Sequence, residues 1–404
     1  MPDVLHAIHV LLEASRGARP DDLPAIARRL AADLQATDLV LYLVDYDQTT
    51  LMPHLGSGAD RPALPIDTTL AGRVFATGQP LDGADDTSDA SGRIVHRLWL
   101  PLLHGAERLG VLELLSTDQH IRRQHADYGL VAGWFAQIVA TCRMYGDALE
   151  QTRRRQPMQL AAEIIWNQLP ALTFATPEVA VSAVLEPCYD VGGDAFDYAI
   201  NGDTLHVGIF DSVGHGISAS ALTALVINAY RNARRCGLDL SDTYRSIDKW
   251  VHDQYPDKFC TAVLAELHVP TGTYRKISAG HPGELLLRDG KLVKELPTPT
   301  ALPLGLGHLD NPIPVVTEES LQPGDRILLY TDGVTEARTA AGEYFGIDRL
   351  RDFVNNALND QFPAAETMRR LVHAILAHQN DDLQDDASAA LIEWRPTAHA
   401  PTSD

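Results

Sequence analysis

The stretch DVGGDAFDYAINGDTLHVGIFDSVGHG, residues 190–216, decides how the C-terminal half is read. Within it, FDYAI and TLHVGIFD are short strand-like runs bounded by turn residues. Asp194 stands behind two glycines at the start of the first run, and Asp211 closes the second just before Ser-Val-Gly-His-Gly. A strand end fixes the direction of a carboxylate. Glycine beside it lets the backbone bend close to whatever the carboxylate holds.

Two later segments repeat the design: LLYTDGVTEA (328–337) carries Asp332 and LQDDAS (383–388) carries Asp385. Mg²⁺ and Mn²⁺ are hard cations that take carboxylate, carbonyl and water oxygens, and two such ions can share a hydroxide that attacks phosphorus in line. Taken singly, each motif is an ordinary Asp-Gly turn or strand-end cap. The set of four, in order on alternating short strands, is what points to a divalent-metal site.

Outward from these motifs, short strands dominate from residue 178 onward: VAVSAVLEP, FDYAI, TLHVGIFD, TAVLAELHV, YRKISA, GELLLRD, DRILLYTD and ASAALIEW. Helical stretches are predicted near 217–235, 242–254 and 365–379. Many hairpin strands with a few inserted helices predict two packed antiparallel sheets flanked by helices, in an α+β chain.

Residues 178–394 resemble the SpoIIE/RsbU-type branch of the metal-dependent type 2C (PPM) protein phosphatases. The resemblance is carried by EPCYDVGGDAFDY, GIFDSVGHGISASAL, FCTAVLAEL, YRKISAGHPGELLLRDG, ALPLGLG, LQPGDRILLYTDGVTEARTAAGEYFGIDRL and DDLQDDASAALIEW. It implies an α-β-β-α sandwich with an acidic cluster at one edge, two Mn²⁺ or Mg²⁺ ions, and hydrolysis of phosphoserine or phosphothreonine by a metal-activated water. By the same resemblance Asp194 and Asp211 are the central ligands and catalytic acids, the Ser212 carbonyl adds an oxygen, and Asp332 and Asp385 complete the site. Asp385 is preferred to Asp386 because the family's ligand is the first of that pair. His215 is either a general acid or a hydrogen-bond partner behind the metal ligands, or a turn histidine satisfied by backbone. Glu336 and His281 lie in family motifs with structural roles. The branch uses no covalent nucleophile, so Ser212 and Ser218 are not candidates for one. Ser212-Val213 stands where the family often has a small or apolar residue followed by Ser or Met. The implied substrate is a phosphorylated STAS-domain anti-sigma-factor antagonist. The alternative is a non-enzymatic, partner-binding regulator built on the same fold, against which the four intact acids speak.

Residues 1–145 alternate helix and strand signals: LVLYLVDYD from Leu39 as a strand, TLAGRVFATGQPL (69–81) as a short helix closed by Gly78, and RLWLPLLHGAERLGVLELLS (97–116) as a hairpin. The last two resemble, more loosely, a GAF domain: an antiparallel sheet with flanking helices, used for sensing or dimerisation. A helix from about 122 carries Tyr128, Val131, Phe135, Ile138, Cys142, Tyr145 and Leu149 at heptad spacing. Its first half either packs on its own domain or forms a seam, and beyond Cys142 it is expected to outrun the domain and meet a partner helix. Residues 146–175 are read as a helical linker with a short amphipathic helix through Leu160, Ile164, Ile165 and Leu169, 176–395 as the phosphatase domain, and 396–404 as a disordered tail. Dimerisation through the first domain and linker is expected.

Composition bounds the rest. The formal net charge of −21 over 404 residues makes a nucleic acid a poor partner, because phosphate backbones repel a polyanion. Only five of the 33 basic residues are lysines. Four cysteines without CxxC spacing fit free thiols in a reducing cytoplasm rather than a zinc site. No apolar run reaches bilayer-spanning length, so no membrane partner is expected.

Overall fold

The computed structural model describes residues 4–56, 59–83, 87–88, 92–296, 299, 301–309, 314–339, 341–359, 362–379 and 385–395. The tail read as disordered, 396–404, lies outside the described residues. The chain separates into two compact units, Met1–Pro157 and Met158–Asp404.

The first unit runs α1 (Val4–Ser15), α2 (Leu23–Asp33), β1 (Asp38–Val44), β2 (Thr50–His54), β3 (Leu64–Pro65), α3 (Leu70–Thr77), β4 (Leu81–Asp82), β5 (Thr87–Ser88), β6 (Ile94–His104), β7 (Glu107–Ser116), α4 (His125–Cys142) and α5 (Ala148–Arg153). Its sheet has the antiparallel order β3-β2-β1-β7-β6-β4, with β5 paired to β6. Strand alternation sends Leu39, Leu41 and Leu43 to one face, where Leu11, Leu30 and Phe135 of the helices meet them. Val40, Tyr42 and Val44 point to the other, under Val74 and Phe75 of α3. An antiparallel sheet with helices on both faces agrees with the GAF-like expectation. The Thr69 side chain caps α3 by accepting from Gly72 N–H, and Gly78 ends it, as the sequence predicts.

The long-helix expectation is corrected. α4 stops at Cys142, followed by a single 3₁₀ turn (Arg143–Tyr145) and extended backbone at Gly146 before α5. Tyr128, Val131, Phe135, Ile138 and Cys142 are buried in the unit's own core, and Leu149 joins them after the break. Tyr145 is exposed. The heptad stripe is an intradomain packing face, and no helix carries it beyond the unit. The 146–175 linker also divides. α5 is held to the β1–β2 hairpin, where Arg153 Nε donates to Val44 O at 3.0 Å and His54 Nδ1 meets Thr152 Oγ1 at 2.8 Å. Residues 158–175 belong to the second unit.

That unit comprises α6 (Leu160–Trp166), β8 (Thr173–Ala175), β9 (Val179–Glu186), β10 (Asp194–Asn201), β11 (Thr204–Ser212), α7 (Ile217–Arg235), α8 (Leu240–Gln254), β12 (Cys260–His268), β13 (Thr273–Ala279), β14 (Leu285–Arg288), β15 (Lys291–Glu295), β16 (Thr317–Ser320), β17 (Arg326–Tyr330), α9 (Asp332–Glu336), α10 (Gly346–Asn359), α11 (Ala364–His378) and β18 (Ala387–Trp394). One sheet has the order β10-β11-β12-β13-β16 and the other β15-β14-β17-β18-β9-β8. Val207, Ile209, Val263 and Leu267 of the first interdigitate with Val181, Ile327, Leu329 and Ile392 of the second. α7 and α8 cover the outer face of the first sheet through Leu222, Val226, Ile247 and Val251, and α10 and α11 cover the second through Leu350, Val354, Leu371 and Ile375. The result is the expected α-β-β-α sandwich. α10 was not read from the sequence, although Leu350 and Val354 stand at helical spacing.

Candidate functional site

The sandwich brings the distant acids to one end. Asp194 opens β10 and Asp211 sits near the end of β11, and the two are Cα partners in the antiparallel ladder. Asp332 begins α9, just past the end of β17, and Asp385 and Asp386 immediately precede β18. β17 and β18 are hydrogen-bonded neighbours, Tyr330 pairing with Ala389. Each sheet therefore contributes the ends of two adjacent strands.

Electrostatics reports the same convergence. Burial, then the charges of Asp211 and Asp386, hold the Asp194 carboxyl well above the usual carboxylate range. Burial, then Asp332, Asp385 and Asp386, push Asp211 up to about 7. Asp332 is raised by burial and then by Asp385 and Glu336. Carboxylates crowded in a poorly solvated end disfavour one another's ionisation, and no lysine or arginine is among the groups acting on these three. An all-oxygen, hard donor set of this charge fits divalent Mg²⁺ or Mn²⁺. Among the described residues, no three His, Cys, Asp or Glu side chains form a closed ligand cage, so the fit rests on the chemistry and mutual repulsion of the donors.

The backbone around Asp194 is held by a partner that the sequence did not identify. Asp386 Oδ2 accepts from the N–H groups of Gly192 (2.9 Å), Gly193 (2.6 Å) and Asp194 (3.2 Å). Asp386 is thus engaged in shaping the Gly-Gly-Asp turn, whereas Asp385 is exposed and its Oδ1 accepts only from the Asp386 N–H among these bonds. A Cβ on Gly193 would stand 2.7 Å from Ser212 O, so only glycine allows that close approach. Gly333 is equally constrained, because its Cβ would meet Asp386 O at 1.9 Å.

Supporting hydroxyls fix the rest. Thr331 Oγ1, fully buried, donates to Asp194 Oδ2 at 2.6 Å and accepts from Ser388 N–H at 2.9 Å, tying Asp194 to the second sheet. Thr223 Oγ1 of α7 donates to Gly193 O at 2.6 Å and lies 2.8 Å from Ser212 Oγ. The Ser212 side chain is thereby buried, and its carbonyl faces the Gly-Gly turn. His281 lies between the sheets: Nδ1 meets Thr261 Oγ1 at 2.7 Å and Nε2 meets Tyr330 O at 3.1 Å. Thr261 is the Cα partner of Asp211, and burial pushes the His281 imidazole down to about 4, so it is neutral. His215 is exposed in the turn between β11 and α7. Glu336 is exposed at the end of α9.

Comparison with known proteins bears on the second unit. Residues 201–395 match the family described as Stage II sporulation protein E (SpoIIE), a span that begins after the Gly-Gly-Asp turn. The phosphoserine phosphatase RsbP of Bacillus subtilis is 25% identical over 56% of this chain and 56% of its own length. The phosphoserine phosphatase RsbU of the same organism is 22% identical over 58% of this chain and 69% of its own. The crystal structure of the RsbU and RsbW domains of a Mycobacterium tuberculosis protein is 25% identical, covers 57% of this chain and 62% of that one, and gives a TM-score of 0.49. The chain spans about half the length of the first curated relatives it matches. The second unit thus carries a SpoIIE-type domain, similar in sequence to the phosphoserine phosphatases RsbU and RsbP. Among the described residues, no helix is long and apolar enough to cross a membrane.

Proposed function

We propose that this chain is a metal-dependent protein phosphatase that hydrolyses phosphoserine or phosphothreonine on a regulatory protein. The observation that carries the reading is the pairing of Asp194 with Asp211 across one ladder, with Asp332, Asp385 and Asp386 raising or sharing their charge from the other sheet. Asp194, Asp211, the Ser212 carbonyl, Asp332 and Asp385 would hold Mn²⁺ or Mg²⁺. Bound there, such ions supply a hydroxide at neutral pH and neutralise charge on the phosphoryl oxygens.

The chain's own part is orientation. Thr331 holds Asp194 in one rotamer, and Asp386 fixes the amide turn behind it. His215, exposed in the Gly-His-Gly segment that follows Asp211, is read as the group that would protonate the departing serine or threonine oxygen. No side chain need form a covalent intermediate.

The substrate class follows from kinship with phosphoserine phosphatases of the Rsb type. We take it to be a phosphorylated STAS-domain protein. The first unit is read as the sensory and dimerising part. Leu5 and Leu12 on α1 and Leu130 and Trp134 on α4 leave exposed apolar faces suited to a second copy. Gating is read through α6. Its Trp166 Nε1 donates to Cys188 O at 2.7 Å, Gln159 N–H at its start donates to Tyr189 O at 2.8 Å, and its body packs on α7. A shift of α6 would reach both turns that bear Asp194 and Asp211.

The test is release of phosphate from candidate phospho-STAS proteins with and without Mn²⁺, beside Asp211→Asn. Metal-dependent release that Asp211→Asn removes supports the reading. Full binding of the partner with no release at saturating Mn²⁺ would favour the non-enzymatic regulator instead.

A further inference from the structure

A lysine stands beside the acid pocket without a carboxylate partner. Of the five lysines, Lys249 pairs with Asp253, Lys276 with Glu284 and Lys294 with Glu319, while Lys291, also without an ion pair among the described residues, stands at the β14–β15 turn at the opposite end of its sheet from Asp332. Lys258 differs: its Nζ is hydrogen-bonded to the hydroxyl of Ser218, and among the described residues it makes no ion pair. In a chain of net charge −21, an ammonium held by a neutral hydroxyl keeps its charge available for an anion from solution.

Its position follows from the backbone. Val213 N–H donates to Phe259 O at 3.1 Å, and Ser212 pairs with Cys260, so the segment 258–260 lies against the turn that follows Asp211. Ser218 is the second residue of α7, three beyond His215. It is exposed, whereas Lys258 is half-buried. The Ser218 oxygen accepts from Lys258, leaving its own proton free to donate. The pair thus presents two donors, an ammonium and a hydroxyl, from a neighbouring loop and helix start. It is not part of the acid cluster: Lys258 is not among the groups that move Asp194, Asp211 or Asp332.

Resting on the phosphatase reading above, we propose that Lys258 and Ser218 form a phosphoryl-positioning fork that receives oxygens of the substrate's phosphoserine or phosphothreonine at the mouth of the acid pocket. The need is electrostatic. A phosphomonoester dianion must approach a site built from carboxylates on a polyanionic protein, and a cation at the mouth offsets that repulsion. Charge-assisted hydrogen bonds to phosphate are among the stronger polar contacts.

The experiment compares full-length wild type, Lys258→Met, Lys258→Arg and Ser218→Ala at saturating Mn²⁺. Two quantities are measured: binding of inorganic phosphate by calorimetry, and KM and kcat for an aryl phosphate and for a phosphoprotein. Loss of one charge-assisted contact should weaken phosphate binding and raise KM for both substrates about tenfold in Lys258→Met. Lys258→Arg should recover most of this, and Ser218→Ala should fall between. The half-saturating Mn²⁺ concentration should stay within about twofold. Unchanged phosphate affinity in Lys258→Met overturns the proposal, as does a shift confined to Mn²⁺ affinity, which would make Lys258 a structural residue. Because phosphate binding is read without turnover, a wild type that binds phosphate through Lys258 yet hydrolyses nothing would sink the phosphatase reading and leave the fork standing.

Discussion

Asp386 Oδ2 lies 2.6 Å from the Gly193 nitrogen and also accepts from the amides on either side, so one carboxylate oxygen organises three consecutive peptide groups. This bond joins the start of β18 to the start of β10, and thus the ends of the two sheets on which the acid pocket depends. Replacing Asp386 by alanine strands three donors that have no other partner in this turn. We expect Asp386→Ala to cost roughly 2–4 kcal/mol of stability, since each buried, unsatisfied donor costs about 1–3 kcal/mol and some will find water. Asp386→Asn keeps one acceptor oxygen and should lose less than half as much. Urea unfolding of both variants checks this. Equal, near-zero losses would mean the turn is held by other contacts.

Asp211 gives a pH dependence of definite sign. Its folded-state value, about 7, lies above the ordinary carboxylate value of 3.8, so the folded state binds the proton more tightly than the unfolded one. That contribution is fully present below about pH 4 and is lost as pH rises through about 7. Metal-free protein should therefore lose stability from this group between about pH 4 and 7, and Asp194, shifted the same way, adds to it. Asp211→Asn should flatten the slope and stabilise the metal-free protein at pH 8. Mn²⁺ should raise the Tm of the wild type at pH 8, by mass action on the folded state, and do much less for the variant. Thermal melts at pH 5 and pH 8, with chelator and with Mn²⁺, decide the matter.

His281 has the opposite sign. Its folded value of about 4 lies below 6.5, so protonation favours the unfolded chain and stability falls as pH drops from about 6.5 towards 4. The physical cause is its burial between Thr261 Oγ1 and the Tyr330 carbonyl. His281→Gln should flatten this acid limb and cost roughly 1–3 kcal/mol at pH 7, through lost hydrogen bonds and imperfect packing. Denaturant titrations between pH 7 and pH 5 separate the two effects, and an unaltered acid limb in the variant would assign the slope to other groups.

Much of the second unit was legible because its chemistry is concentrated in short motifs. Aspartate at a strand end, with glycine next to it at Asp194 and Asp332 and three residues on at Asp211, marks these acids in the primary sequence, and alternation within strands such as VAVSAVLEP locates the sheets. What the sequence could not show is long-range partnership. Nothing in the local residues of LQDDAS distinguishes the aspartate that binds amides 192 to 194 residues away from its neighbour. Thr331, Thr223 and His281 serve the site through bonds to residues remote in the chain. In the first unit, the heptad spacing from Tyr128 misled because periodicity reports a buried face and not what buries it. The turn at Arg143–Tyr145 and Gly146 ends the helix before the stripe leaves its own core.

With the coiled segment removed, the proposed dimerisation would rest on the exposed faces of α1 and α4. Leu5 is 80% exposed and Leu130 57%, values that a lone surface side chain can tolerate but that four large apolar residues on two packed helices seldom combine without a partner. Within α1, Leu5 and Leu12 are two turns apart on one side, and within α4, Leu130 and Trp134 are one turn apart. Their burial against a second copy would release apolar surface from water at about 25 cal/mol per Å². Leu130→Glu combined with Trp134→Glu places charges on that face without touching the core residues Val131 and Phe135. Sedimentation equilibrium should show a dimer for the wild type and a monomer for the double variant, with Tm at low protein concentration changed by no more than a few degrees. A wild type that is monomeric at tens of micromolar, or a double variant that dimerises as well as the wild type, would remove this face as the contact.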